Sequence, residues 1–147
     1  MKEPTPQRLG ARRRARECAL QALYNADVSA VPAKDALDAV VQHFAGPDLE
    51  DASREFAVTL VEGVTRHLGE LDAAIERHSE HWRLDRMARV DRNVLRLAAF
   101  ELFHLGEVPK KVTLNEAVEL GKKFGSEESS AFVNGVLDRI ARDVHKP

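Results

Sequence analysis

Four arginines within five residues, Arg12, Arg13, Arg14 and Arg16, form the densest candidate chemistry in this chain. A guanidinium fork matches the geometry of a phosphate, and each phosphate neutralised releases a counterion. Through Arg16 the chain carries six cations (Lys2, Arg8 and these four arginines) against Glu3 alone, a charge of +5. The whole chain sums to −2, which leaves −7 for residues 17–147. A basic segment on an acidic body has the chemistry to bind a polyanion, with nucleic acid the first candidate. The other reading is a solvated tail.

A second candidate is Phe124-Gly125-Ser126-Glu127-Glu128-Ser129-Ser130-Ala131-Phe132, where one helix ends and another begins between two aromatics. Amides at a new helix N-terminus contact phosphate, and an exposed aromatic stacks on an unpaired base. Against this, Glu127 and Glu128 repel phosphate, and both phenylalanines also suit a core. The charged stretch from Asp85 to Asn93 reads either as a solvated face or as a partner-docking surface.

Metal and nucleophile patterns are weak. His78 and His81 share a helix face at i, i+3, but no partner motif supplies further ligands. Glu101-Leu102-Phe103-His104 has the Glu-x-x-His form of a di-iron half-site, which must occur twice and occurs once. Cys18 is the single cysteine, so no intrachain disulfide forms, and a buried thiol is the expectation. There is no glycine-rich phosphate loop and no nucleophile elbow. No catalytic residue, metal or cofactor is expected, and the chain reads as a non-enzyme.

The elements that must position these residues are helical. Ala15, Ala19, Ala22, Leu23 and Ala26 recur at spacings of 3 and 4, predicting a helix over about 12–27. Arg13, Glu17, Leu20 and Tyr24 run along a second line, which either widens the core stripe or faces a partner. A second helix starts at Pro32, carries Ala36, Leu37, Val40, Val41 and Phe44, and stops at Gly46-Pro47. A third, with Phe56, Leu60, Val61 and Val64, ends near Gly69, and a fourth covers about 70–82. A fifth carries Val90 to Leu105 and stops at Gly106. Thr113-Leu114-Asn115-Glu116 has the form of a capping box opening a sixth, which ends at Gly125 as a C′ residue. Ser126 is positioned to cap a seventh, which carries Phe132 to Val144. No segment alternates with period 2. With 44% hydrophobic and 31% charged residues, the chain reads as one all-α domain of about seven helices. No apolar run is long enough to span a bilayer and no secretory signal is present, so a cytoplasmic protein is expected.

The order of these motifs resembles the NusB family of bacterial transcription antitermination factors. The resemblance runs through Arg12-Arg13-Arg14-Ala15-Arg16-Glu17-Cys18-Ala19-Leu20-Gln21-Ala22-Leu23-Tyr24. It continues at Val90-Asp91-Arg92-Asn93-Val94-Leu95-Arg96-Leu97-Ala98, Val108-Pro109, and Val112-Thr113-Leu114-Asn115-Glu116-Ala117-Val118-Glu119-Leu120. It closes with Phe124-Gly125-Ser126-Glu127 and Phe132-Val133-Asn134-Gly135-Val136-Leu137-Asp138. It spans about Arg12 to Ile140.

The resemblance implies two helical subdomains packed crosswise, with residues 1–11 a flexible basic arm and 12–147 the RNA-binding domain. It implies a non-catalytic adaptor that binds the single-stranded boxA element of nascent ribosomal RNA with the ribosomal protein NusE. RNA polymerase and other Nus factors complete that assembly. Carried over by position, Arg12, Arg13, Arg14, Arg16, Phe124, Glu128 and Phe132 would meet RNA, and Tyr24 and Asp91 would face NusE. The chain departs from the family pattern at Asp91, where a longer Glu occurs, at Glu128, which replaces Asp, and at Ala131, where a basic residue can occur. Two alternatives accompany this reading. One is a homodimeric interaction module without specific RNA binding. The other is the RNA-binding domain of an RNA methyltransferase system, although the chain carries no cofactor-binding α/β domain after the helices.

Overall fold

The computed structural model describes residues 6–45, 49–80 and 82–147, with side chains for all of these but 6–9, 44 and 45. Lys2, Glu3, the Arg8 and Phe44 side chains, the Gly46-Pro47 stop and His81 lie outside the described residues. Among those described there are seven α-helices and no strand. They are α1 (Pro6–Ser29), α2 (Ala33–Val40), α3 (Asp51–Arg66), α4 (Leu68–His78), α5 (Arg89–His104), α6 (Lys110–Phe124) and α7 (Ser129–Arg142). A π turn over Val41–Ala45 extends α2, and a 3-10 turn covers Leu84–Arg86. The all-α expectation holds. The chain divides into two compact units, Met1–Glu62 and Gly63–Pro147.

In unit 1, α1 packs on α2. Ala15, Cys18, Ala19, Leu20, Ala22 and Leu23 are buried on α1, as are Ala36, Leu37 and Val40 on α2. The small residues of α1 let the helices approach closely, and Leu20 and Leu23 fill the seam. Helix α1 starts at Pro6, a turn and a half before the predicted start at Arg12. It ends at Ser29, and the next residue, Ala30, takes a left-handed conformation (φ 56°) while its N–H still donates to the Ala26 carbonyl.

Unit 2 is built around α5. Nine of the ten residues from Asn93 to Leu102 are buried, Arg96 being the exception, so the helix is enclosed on nearly all sides. It packs on α4, α6 and α7, and α6 packs on α7. Arg96 makes a two-pronged pair with Asp72 of α4, at 2.8 and 3.0 Å, and donates to Asn93 Oδ1. A Cβ on Gly63 would run into the ring of the buried Phe100, so α3 meets α5 only because that position is glycine.

Three expected boundaries are corrected. The capping box does not open α6: the helix starts at Lys110 after Pro109, and Thr113 is buried one turn inside. Its hydroxyl donates to Glu101 Oε1 at 2.9 Å, so the core takes the group a cap would have used. Ser126 does not cap α7, which starts at Ser129; instead the Ser126 N–H donates to Ser129 Oγ. Helix α4 ends at His78 rather than Trp82, because Glu80 turns left-handed (φ 59°). Gly125 follows α6 as expected but with φ −100°, not in the left-handed region. Glycine is needed there for room, since a Cβ would collide with the Ser129 side chain.

The last residues of unit 2 are stitched down by two lysines. Lys146 Nζ donates to the Glu101 and Leu105 carbonyls at the end of α5. Lys110 Nζ donates to the Ala141 and Val144 carbonyls at the end of α7, and the Lys110 N–H donates to the Pro147 carbonyl. Both cations occupy the negative ends of helix dipoles.

Candidate nucleic-acid and partner interface

The arginine cluster is helical, and the helix divides it. Arg13 and Arg14 are exposed, Arg12 is half-buried and Arg16 is 3% exposed. The guanidiniums of Arg12 and Arg16 lie over the ring of Phe56, 4.4 and 5.3 Å from its centroid. Both come from one face of α1, four residues apart, and share one aromatic on α3. Two cations are thus held against Phe56 and two are turned to solvent. The second line of α1 divides as well: Leu20 is core, while Tyr24 is 37% exposed. Burial and a positive field act in opposite directions on Cys18. Burial prevails over Arg14 and pushes the thiol up from its ordinary range, which leaves it a structural group.

In unit 2 the sequence-distant segments 82–91 and 126–132 enclose a cleft of about 460 Å³. Trp82, Arg86, Met87, Ala88, Asp91, Ser126, Glu128 and Phe132 line it. Trp82 is 55% exposed and meets Phe132 edge-on, with centroids 6.5 Å apart. The loop that carries Trp82 is pinned: the buried Ser79 hydroxyl donates to the Trp82 carbonyl. The following turn is held through both polar groups of the Leu84 backbone. The Leu84 N–H donates to Glu76 Oε1, and Arg92 Nη1 donates to the Leu84 carbonyl. The cleft is therefore preformed.

Asp91 stands in the first turn of α5, where a carboxylate complements the helix dipole. It is 9% exposed, and its buried Oδ1 has no hydrogen-bond partner among the described residues. A desolvated carboxylate oxygen left in this state favours a donor or cation entering the cleft. Glu128 and Phe132 share the cleft with Asp91, so residues expected on RNA and on a protein partner are brought together. Phe124 is half-buried outside that lining, with Lys123 Nζ 5.4 Å from its ring centroid. Sequence reasoning missed Trp82 as a residue of this cleft and reached Arg86 only as part of the charged stretch from Asp85 to Asn93. The one usable signal was the rarity of tryptophan, which occurs once in the chain.

The histidine pattern at 78 serves the fold. The Nδ1 atom of His78 lies 2.8 Å from the Ala74 carbonyl and Nε2 lies 3.0 Å from Asp143 Oδ2. Arg139 Nε donates to the His78 carbonyl at 2.7 Å.

Comparison with known proteins covers nearly the length of the chain. Residues 13–142 match the model of the NusB family. The chain is 54% identical to the transcription antitermination protein NusB of Myxococcus xanthus, over 95% of this chain and 100% of that one. It is 57% identical to NusB of Anaeromyxobacter dehalogenans, over 88% and 89%. Among solved structures, NusB of T. maritima superposes with a TM-score of 0.84 at 36% identity, covering 100% of this chain and 96% of that one. A crystal structure of the antitermination factors NusB and NusE in complex with double-stranded RNA superposes with a TM-score of 0.83 at 32% identity, covering 90% and 97%. The chain belongs to the NusB family, whose members are non-catalytic.

Proposed function

We propose that the protein is a transcription antitermination factor, a cytoplasmic adaptor that holds boxA-type single-stranded RNA of nascent ribosomal RNA transcripts together with NusE. The RNA polymerase complex with other Nus factors would be the assembly it serves. The observation that carries this reading is the end-to-end likeness to NusB proteins, one of them solved with NusE and RNA. No helix of the described residues is long and apolar enough to cross a membrane.

The geometry suggests how the work is divided. Arg13 and Arg14, exposed on α1, meet phosphates, while Arg12 and Arg16 on Phe56 set the orientation of that helix face. Phe132 offers a stacking surface for a base, with Phe124 and Glu128 at the margin of the RNA path. Tyr24 and Asp91 face NusE, where the unpaired Asp91 oxygen accepts from a basic side chain. Residues 12–147 form the RNA-binding domain, and residues 1–11 add positive charge at its N-terminal end.

The test is a titration of the protein with labelled boxA-like single-stranded RNA, a scrambled strand and an RNA duplex, each with and without NusE. The reading expects selective binding of the boxA strand that tightens when NusE is present. Equal affinity for all three RNAs with NusE present would overturn it in favour of a generic polyanion binder. Preference for the duplex would reassign the RNA surface from bases to backbone.

A further inference from the structure

The dismissed Glu101-x-x-His104 motif leads to a different cluster. Glu101 is buried and accepts from Thr113, so it is turned away from His104. His104, in the last turn of α5, meets instead the region where α4 begins. His104 Nε2 lies 3.1 Å from Glu70 Oε1, and His67 Nδ1 lies 3.5 Å from Glu70 Oε2. One ligand atom from each of His67, Glu70 and His104 can be chosen so that all lie within 4.8 Å of one another. We propose that these three side chains form a binding site for a divalent transition-metal ion of the zinc class.

The donor set determines the class. Two imidazole nitrogens and one carboxylate oxygen suit zinc, cobalt or nickel, whereas magnesium and calcium favour oxygen ligands. Metal–nitrogen and metal–oxygen bonds of about 2.0–2.2 Å at tetrahedral angles put neighbouring donors about 3.3–3.5 Å apart. The His67–Glu70 distance of 3.5 Å, to one carboxylate oxygen, matches that spacing, and the His104–Glu70 distance of 3.1 Å, to the other, is a few tenths of an ångström shorter. Three protein ligands leave a fourth position for water.

The surroundings hold the donors ready. The two imidazole rings stack 4.0 Å apart at 18°, and both lie near the Phe100 ring, with centroids 6.2 and 5.5 Å away. Phe100 is buried and gives the site an apolar floor. His67 is fixed by its place between α3 and α4, where its N–H donates to the Gly63 carbonyl and its carbonyl accepts from Leu71. The side chains remain about one-third to one-half exposed, so an ion reaches them from solvent. Ligation requires the stacked rings to open slightly so that both lone pairs converge. A rotation of these partly exposed side chains supplies that.

The experiment is a competition titration of the full chain for Zn²⁺ against a chromophoric chelator, repeated with the double variant His67→Gln/His104→Gln. His43, His78, His81 and His145 stay in both proteins and control for incidental histidine binding. One tight equivalent is expected in the parent protein, weakened about 100-fold or more in the variant, since losing a group that only hydrogen-bonds a metal ligand already costs about 10–100-fold. A Zn²⁺-dependent rise in melting temperature is expected in the parent alone. Equal binding by both proteins, or no binding by the parent, overturns the site. Should the double variant fail to fold, Glu70→Gln at a half-exposed position carries the same comparison. RNA and NusE binding do not enter this readout, so its failure leaves the adaptor reading untouched.

Discussion

Helix α1 and the cleft of unit 2 reach similar chemistry by opposite routes. On α1 the functional groups are contiguous, and the helix sorts them, turning Arg13 and Arg14 outward while Phe56 takes Arg12 and Arg16. In the cleft the groups come from segments some forty residues apart and converge only when α5 and α7 pack. The first arrangement favours loose, salt-sensitive attraction of a polyanion, since its charges are exposed to water and screened by salt. The second favours selective capture, since it has an unpaired buried oxygen beside an aromatic pair.

The largest expected effect separates the two regions. Asp91→Lys should weaken NusE binding by about 2–5 kcal/mol, the usual cost of breaking a buried charge contact, and cost RNA binding less. Calorimetry with NusE and a titration with RNA would check both halves. Equal damage to both partners would merge the regions into one surface. Next in size, Trp82→Ala and Phe132→Ala should each lower RNA affinity by about 1–3 kcal/mol if a base stacks there. A loss confined to NusE binding would make the whole cleft a protein site. For α1, replacing Arg13 and Arg14 together by Ala should flatten the slope of log affinity against log salt by about 1.4, or 0.7 for each single-strand phosphate contact. Arg16→Ala should instead lower the melting temperature and leave that slope unchanged, because its guanidinium is packed on Phe56.

The smallest effect concerns Cys18. Burial raises its thiol pKa, so above the ordinary thiol range the folded chain keeps a proton that the unfolded chain has lost. The stability this contributes is complete at neutral pH and falls as pH climbs through the raised value. Alkylation of Cys18 at pH 8 should be slow in buffer and fast in denaturant. Rapid native alkylation would mean that the α1–α2 seam opens readily.

How much of this was legible from the residues depends on distance along the chain. Much of the core follows from local periodicity, as in Ala15-Ala19-Ala22 and Val133-Val136-Leu137-Ile140, which the structure buries. The helix ends were less legible. Thr113 reads locally as a cap, but Glu101, twelve residues earlier, claims its hydroxyl. The arginine cluster stands out by charge alone, yet nothing local indicates that Phe56 covers half of it. Trp82 gains a role only through Phe132, fifty residues on. The His67–Glu70 pair at i, i+3 lacks meaning until α5 brings His104 beside it.

The lysine stitching at the end of unit 2 bears on timing. A ribosome that has delivered residues through Glu62 has released every residue of unit 1, including both sides of the α1–α2 seam. Unit 2 lacks the group that ties down the last carbonyls of α5 until Lys146 emerges. At about 5–20 residues per second, that delay is roughly ten seconds. During synthesis the arginines of α1 and the rest of unit 1 are therefore released before Phe132, the last residue lining the cleft, and before Lys146.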